Sequence, residues 1–123
     1  MNTRVVKVGI MSPAEMREYT MKIARGEIKP DPDAPKIFFP TLRAFAEALN
    51  GENKMLLDAI NTHRPESIAA LADIVQRDAG NVSRALKRLE ERGIVRFENG
   101  ASATQKKPVV LYDKLVMEMP LAC

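Results

Sequence analysis

Asn81, Ser83, Arg84, Lys87 and Arg88 stand close together in the chain, and all can donate hydrogen bonds to phosphate oxygens and base edges. They belong to the stretch NVSRALKRLEERG, residues 81–93. There Val82, Ala85, Leu86 and Leu89 recur at the i, i+3, i+4, i+7 spacing of a buried helical face. Arg84 and Lys87 fall opposite that face, Asn81, Ser83 and Arg88 flank them, and Gly93 is a helix stop. Arg84 has the planar fork for bidentate pairing with a guanine, and Asn81 could pair with an adenine or hold a phosphate. Lys87 and Arg88 suit phosphate. If the N-terminal end of this helix points at a duplex, its unpaired N–H groups and partial positive charge favour the same anions, with Asp78 acting as a cap.

Any solvated helix carries charges on its outer face, so the order of the neighbouring elements must decide. A helix from Glu52, with Leu56, Ala59 and Ile60 on one face, ends near His63 before Pro65. Ser67 then caps a helix whose inner stripe is Ile68, Leu71, Ala72 and Val75. Gln76, Arg77, Asp78, Ala79 and Gly80 form the turn into the donor-rich helix, giving a helix-turn-helix. Ser67 and Arg77, at the ends of the supporting helix, would contact a nucleic-acid backbone. After Gly93, IVRFE reads as a strand with Val95 and Phe97 on one face, and Asn99-Gly100 signals a turn. The loop ASATQKK follows, and VVLYD after Pro108 is the expected return strand of a β-hairpin wing. Lys106 and Lys107 at the end of that loop serve solubility as readily as DNA contact. The expected fold is α+β: a winged helix-turn-helix, with a three-helix core and a hairpin wing, preceded by a strand-helix arm.

That arm, residues 1–40, opens on VVKVGI, where Val6, Val8 and Ile10 share one face of a short strand. Ser12, Pro13 and Glu15 then spell a capped helix start with a capping box. Met16, Tyr19, Thr20 and Ile23 form its stripe and Gly26 its end. The three prolines of KPDPDAP, residues 29–35, make a linker, since each lacks a backbone donor and disfavours helix in the residue before it. KIFF is a short strand, and Thr41 caps a helix with Leu42, Phe45 and Leu49 that Asn50 and Gly51 break. Residues 41–113 form the DNA-binding unit. Residues 114–123 form a tail, with Leu115, Met117 and Met119 on one side, that acts as a further strand or a dimer arm.

Composition sets outer limits. The chain has 123 residues, 46% of them hydrophobic, which suits one folded, soluble domain with a modest core. Its net charge of +3 says little, but residues 77–107 hold a local surplus of lysine and arginine over acid. The single cysteine, Cys123, permits neither an intrachain disulfide nor a cysteine zinc site, and fits a reducing cytoplasm. No apolar run approaches the length of a membrane span, and the N-terminus lacks the pattern of a signal peptide. His63 suits an edge-of-core or helix-capping role better than chemistry. The methionines are scattered, which fits packing or a partner surface rather than a ligand pocket. No phosphate loop, nucleophile elbow, dinucleotide fingerprint or spaced carboxylate motif occurs, so neither an enzyme nor a cofactor is expected.

The run SIAALADIVQRDAGNVSRALKRLEERGIVRFE resembles winged helix-turn-helix regulators of the MarR and ArsR kind. The likeness covers residues 52–113 and implies a DNA-binding transcriptional regulator. A narrower likeness lies in the arm: "VGIMS", "IARGE" and the aromatic strand resemble the front half of small bacterial DNA-binding antitoxins encoded beside TumE-like toxins. It implies a toxin protein as partner. Taken together, the expectation is a homodimeric, sequence-specific repressor of double-stranded DNA. The alternative is an antitoxin that neutralises its toxin through the arm and regulates its own operon.

Overall fold

Side-chain caps start four of the helices where the sequence places them. In the computed structural model, which describes residues 4–100, 105–119 and 121, Ser12 opens α1 (Pro13–Ala24) with the full capping box. Thr41 caps α2 (Leu42–Ala48), accepting from the Ala44 N–H at 3.0 Å. Ser67 caps α4 (Ile68–Val75) by accepting from Ala70 at 3.0 Å, and Asp78 caps α5 (Ala79–Glu91) by accepting from Asn81 at 3.0 Å. α2 ends before Asn50 and Gly51, as expected of breakers, and Asn50 in addition caps α3 (Gly51–His63), whose first residue is Gly51. His63 lies in the last turn of α3 and is exposed, so it takes no place at the edge of the core.

Five strands complete an α+β chain among the described residues: β1 (Val5–Ile10), β2 (Ile37–Phe39), β3 (Val95–Asn99), β4 (Lys106–Val110) and β5 (Lys114–Glu118). They form two sheets. β3 and β4 pair antiparallel from Val95 opposite Val110 to Asn99 opposite Lys106. The other sheet has the order β2-β1-β5, and both of its pairings are parallel. A parallel pair needs a long crossover; α1 and the proline linker provide it for β1 and β2, and most of the chain provides it for β1 and β5. The tail strand therefore joins neither the hairpin sheet nor, within the chain, a free arm. Its parallel partner is the first strand.

One core unites the two ends. Val6, Val8, Ile37 and Phe39 from the first forty residues are buried in the same cluster as Leu56 of α3, Leu71 of α4, Leu86 and Leu89 of α5, and Val95 and Val110 of the hairpin. α1 is the exception. It buries no side chain: Met16, Tyr19 and Ile23 are half-buried and Thr20 is exposed.

Two turns differ from expectation. The sequence pattern runs the α4–α5 turn through Gly80, but α5 begins at Ala79 and Gly80 lies inside its first turn. The left-handed residue is Gln76, at φ 56°, and its amide donates to the Asp73 carbonyl at 2.8 Å. The return strand begins at Lys106, ahead of Pro108, and ends before Leu111. The Leu111 N–H donates to the Ile94 carbonyl and that of Gly100 to Gln105, so hydrogen-bonded pairs alternate along the ladder and Phe97 opposite Pro108 is a non-hydrogen-bonded pair. The proline ring nitrogen faces away from β3, and no ladder bond is lost. The loop tip at 101–104 and Cys123 lie outside the described residues.

Candidate functional site

α5 is held by its apolar face. Val82, Leu86 and Leu89 are fully buried and Ala85 nearly so. A Schellman motif ends the helix: the Gly93 N–H donates to the Glu90 carbonyl at 2.9 Å and the Ile94 N–H to Leu89 at 3.0 Å, with Gly93 at φ 82°. Ile94 and Val95 then enter the core and lead into β3. The outward side chains of the helix are thereby set at a fixed rotation.

One flank of α5 faces a groove of about 710 Å³, whose other wall is α2 and the first turn of α3. Arg77, Asn81, Arg84, Arg88 and Arg92 line it, above the small side chains of Ala44 and Ala48. The spacing of four, three, four and four residues puts these five on one flank, and four of them are donors that the sequence points to. Arg92 is the fifth, and its i+4 relation to Arg88 is the signal in the sequence that places it there. Its guanidinium lies 4.9 Å from the centre of the Phe39 ring, so it is held by a cation–π contact as well. Glu47, Glu52 and Glu91 also line the groove, which makes it mixed in charge, with arginine in excess.

The donors differ in how they are already engaged. Arg77 donates to the Asn81 side-chain oxygen and lies 4.0 Å from Glu52. With that oxygen engaged, bidentate pairing of Asn81 with adenine would require breaking the bond to Arg77, whereas its amide N–H groups can still serve a phosphate. Among the described residues, Arg84, Lys87, Arg88 and Lys106 have no carboxylate within 4.0 Å. Those four cations need break no ion pair to meet a polyanion. Ser83, half-buried, and Lys87, exposed, lie outside the groove on the other flank.

A second group gathers where the hairpin meets α4. The Lys107 ammonium lies 3.6 Å from Glu66, whose neighbour Ser67 is the α4 cap. The hairpin turn approaches the same place so closely that a β-carbon on Gly100 would come within 2.8 Å of the Glu66 carbonyl oxygen, and only glycine fits there. Lys106 and Lys107 therefore belong to β4, not to the loop, and Lys107 is ion-paired. The α5 N-terminus is also partly occupied. The Asp78 carboxylate accepts from the Asn81 N–H and brings its own negative charge to the end where an approaching phosphate would look for N–H groups.

No group of three or more histidine, cysteine or carboxylate side chains able to hold a metal occurs among the described residues. Among the same residues, no helix is long and apolar enough to cross a membrane. Residues 48–117 match the family model HVO_A0114, a span running from the last residue of α2 into β5. No curated protein and no solved structure matches the chain.

Proposed function

We propose that this chain, which belongs to the HVO_A0114 family, is a sequence-specific regulator that binds double-stranded DNA through a winged helix-turn-helix. In this reading α3, α4 and α5 form the three-helix unit, α5 is the recognition helix, and β3 and β4 are the wing. The observation that carries it is the set of cations on α5 that have no carboxylate within 4.0 Å among the described residues. Arg84, Lys87 and Arg88 project from a helix whose other face is locked into the core. Arg84 is the base-reading candidate. Lys87, Arg88 and Lys106 serve phosphates, while Arg77 braces Asn81 beside them.

A single recognition helix reads few base pairs, so the functional unit is a homodimer acting as a repressor on an inverted repeat. Selection of bound duplexes from a random pool tests this directly. An inverted repeat whose half-sites lie about one helical turn apart is expected, with affinity that falls steeply as salt rises. Recovery of no preferred sequence, together with binding indifferent to salt, would overturn the reading.

The antitoxin reading draws on a separate observation: α1 buries no side chain and leaves Met21 54% exposed. A helix whose apolar stripe is only half covered by the described residues of its own chain suits capture of a toxin protein. Truncating the arm cannot test this, because Val6 and Val8 belong to the core. Substitution of Tyr19 and Met21 on the α1 surface can. Loss of toxin neutralisation with DNA affinity retained would support the antitoxin role; neutralisation undiminished by these changes would remove it.

A further inference from the structure

β5 lies at the edge of its sheet. It pairs with β1 on one side, and among the described residues no strand pairs with the other. The Lys114 N–H donates to the Arg4 carbonyl at 3.1 Å, so Lys114, Val116 and Glu118 turn their backbone groups towards β1. Leu115 and Met117 turn theirs towards the open edge. An edge of this kind is a template for another strand unless something blocks it. β5 has no proline and no inward-pointing charge. Leu115 and Met117 fall on the core face, opposite Val6 and Val8, while Lys114, Val116 and Glu118 share the outer face. That outer face leaves Val116 40% and Val5 52% exposed.

The strand is complementary to itself. Its sequence, Lys114-Leu115-Val116-Met117-Glu118, has opposite charges at its ends and apolar residues between. Turned antiparallel about an axis through Val116, it sets Lys114 against Glu118 of the partner subunit. Leu115 then faces the partner's Met117. The backbone agrees with this register. Leu115 and Met117, whose N–H and C=O groups point outward, become the hydrogen-bonded pairs, and Val116 meets the partner's Val116 in a non-hydrogen-bonded pair. A slip of one residue would set the core face of one strand beside the outer face of the other. A slip of four would oppose lysine to lysine or glutamate to glutamate. Only the centred register uses the whole strand and both charge pairs.

We propose that β5 is a subunit interface at which two copies of this chain join their three-stranded sheets into one six-stranded sheet, β2-β1-β5-β5-β1-β2. This gives the homodimer of the proposed function its contact surface. It draws on no nucleic-acid contact, so it is tested without DNA and can stand if the DNA reading fails. The charge complementarity selects a second copy over an unrelated strand, because each end of β5 carries the counterpart of the other.

Sedimentation equilibrium of the full chain, without DNA, is expected to give a dimer at micromolar concentration. Lys114→Glu opposes carboxylates at both ends of the pairing, and Glu118→Lys opposes ammonium groups there and also faces Lys7 of its own chain, which lies 3.6 Å from Glu118; each alone is expected to weaken the dimer about tenfold or more. Mixed in equal amounts, the two variants restore opposite charges at both ends, and dimerisation is expected to return towards the wild-type level. Folding failure cannot imitate that recovery. Val116→Cys in a Cys123→Ser background is expected to form an interchain disulfide on oxidation, since non-hydrogen-bonded partners lie about 4.5 Å apart between Cα atoms. Met21→Cys in the same background should not. A monomeric wild-type chain, charge variants that associate as the wild type does, or mixing without recovery would each overturn the interface.

Discussion

Replacing Phe39 with alanine tests whether the N-terminal segment is a structural part of the domain. Phe39 is fully buried, its ring meets that of Phe45 edge-on at 5.4 Å and 85°, and the Arg92 guanidinium lies 4.9 Å from its centre. Loss of a buried phenylalanine costs about 3–5 kcal/mol, of which the aromatic pair accounts for about 0.5–1.5 kcal/mol. A domain of this size has a total stability of about 5–15 kcal/mol, so Phe39→Ala should remove a large share of it. Urea unfolding followed by circular dichroism is the assay. Phe39→Leu, which retains most of the volume but neither ring contact, should cost about 1–2 kcal/mol. A double-mutant cycle with Arg92→Ala should then isolate a coupling of about 0.5–1 kcal/mol for the cation–π contact. The whole chain should unfold in a single transition. A Phe39→Ala cost below about 1 kcal/mol, or a separate early transition for the first forty residues, would refute the shared core.

Five further substitutions, at four positions, separate the roles assigned around α5. Arg84→Ala should cost about 1–3 kcal/mol on the selected operator and relax preference at one base, as competition binding with operator variants will report. Lys87→Ala should weaken binding to all sequences alike and reduce the salt slope by about one unit; a base-specific loss would reverse the two assignments. Asp78→Asn keeps a good cap while removing a negative charge, so stability should change by less than about 1 kcal/mol while DNA affinity at low salt rises. Unchanged affinity would turn the α5 N-terminus away from the duplex. Ser67→Asp should likewise preserve the α4 cap and its stability, whereas Ser67→Ala should cost about 1 kcal/mol in urea unfolding. Only the aspartate should weaken DNA binding markedly, by placing a charge where a phosphate is expected.

Features that depend on neighbours a few residues apart are legible in the sequence alone. Ser12, Thr41, Ser67 and Asp78 cap helices by accepting from an N–H three residues on, and the stripe Val82, Ala85, Leu86, Leu89 buries as its period requires. Even there, two local signals were ambiguous. Gly80 resembles a turn residue yet lies in a helix, and Pro108 resembles a strand boundary yet occupies a position where the ladder needs no donor. Tertiary packing settles which distant segments meet. The Asp113 carboxylate accepts from the Arg4 N–H across 109 residues, beside the pairing of β1 with β5, and no period or cap encodes that contact. It likewise decided that Val6 and Phe39 share a core with Leu86, and that Arg92 joins Arg84 and Arg88 along one groove. Caps and periodicities are set by the local geometry of the backbone. The pairing of parallel strands and the walls of a groove depend on how the whole apolar surface is buried, and that is settled only when the chain packs.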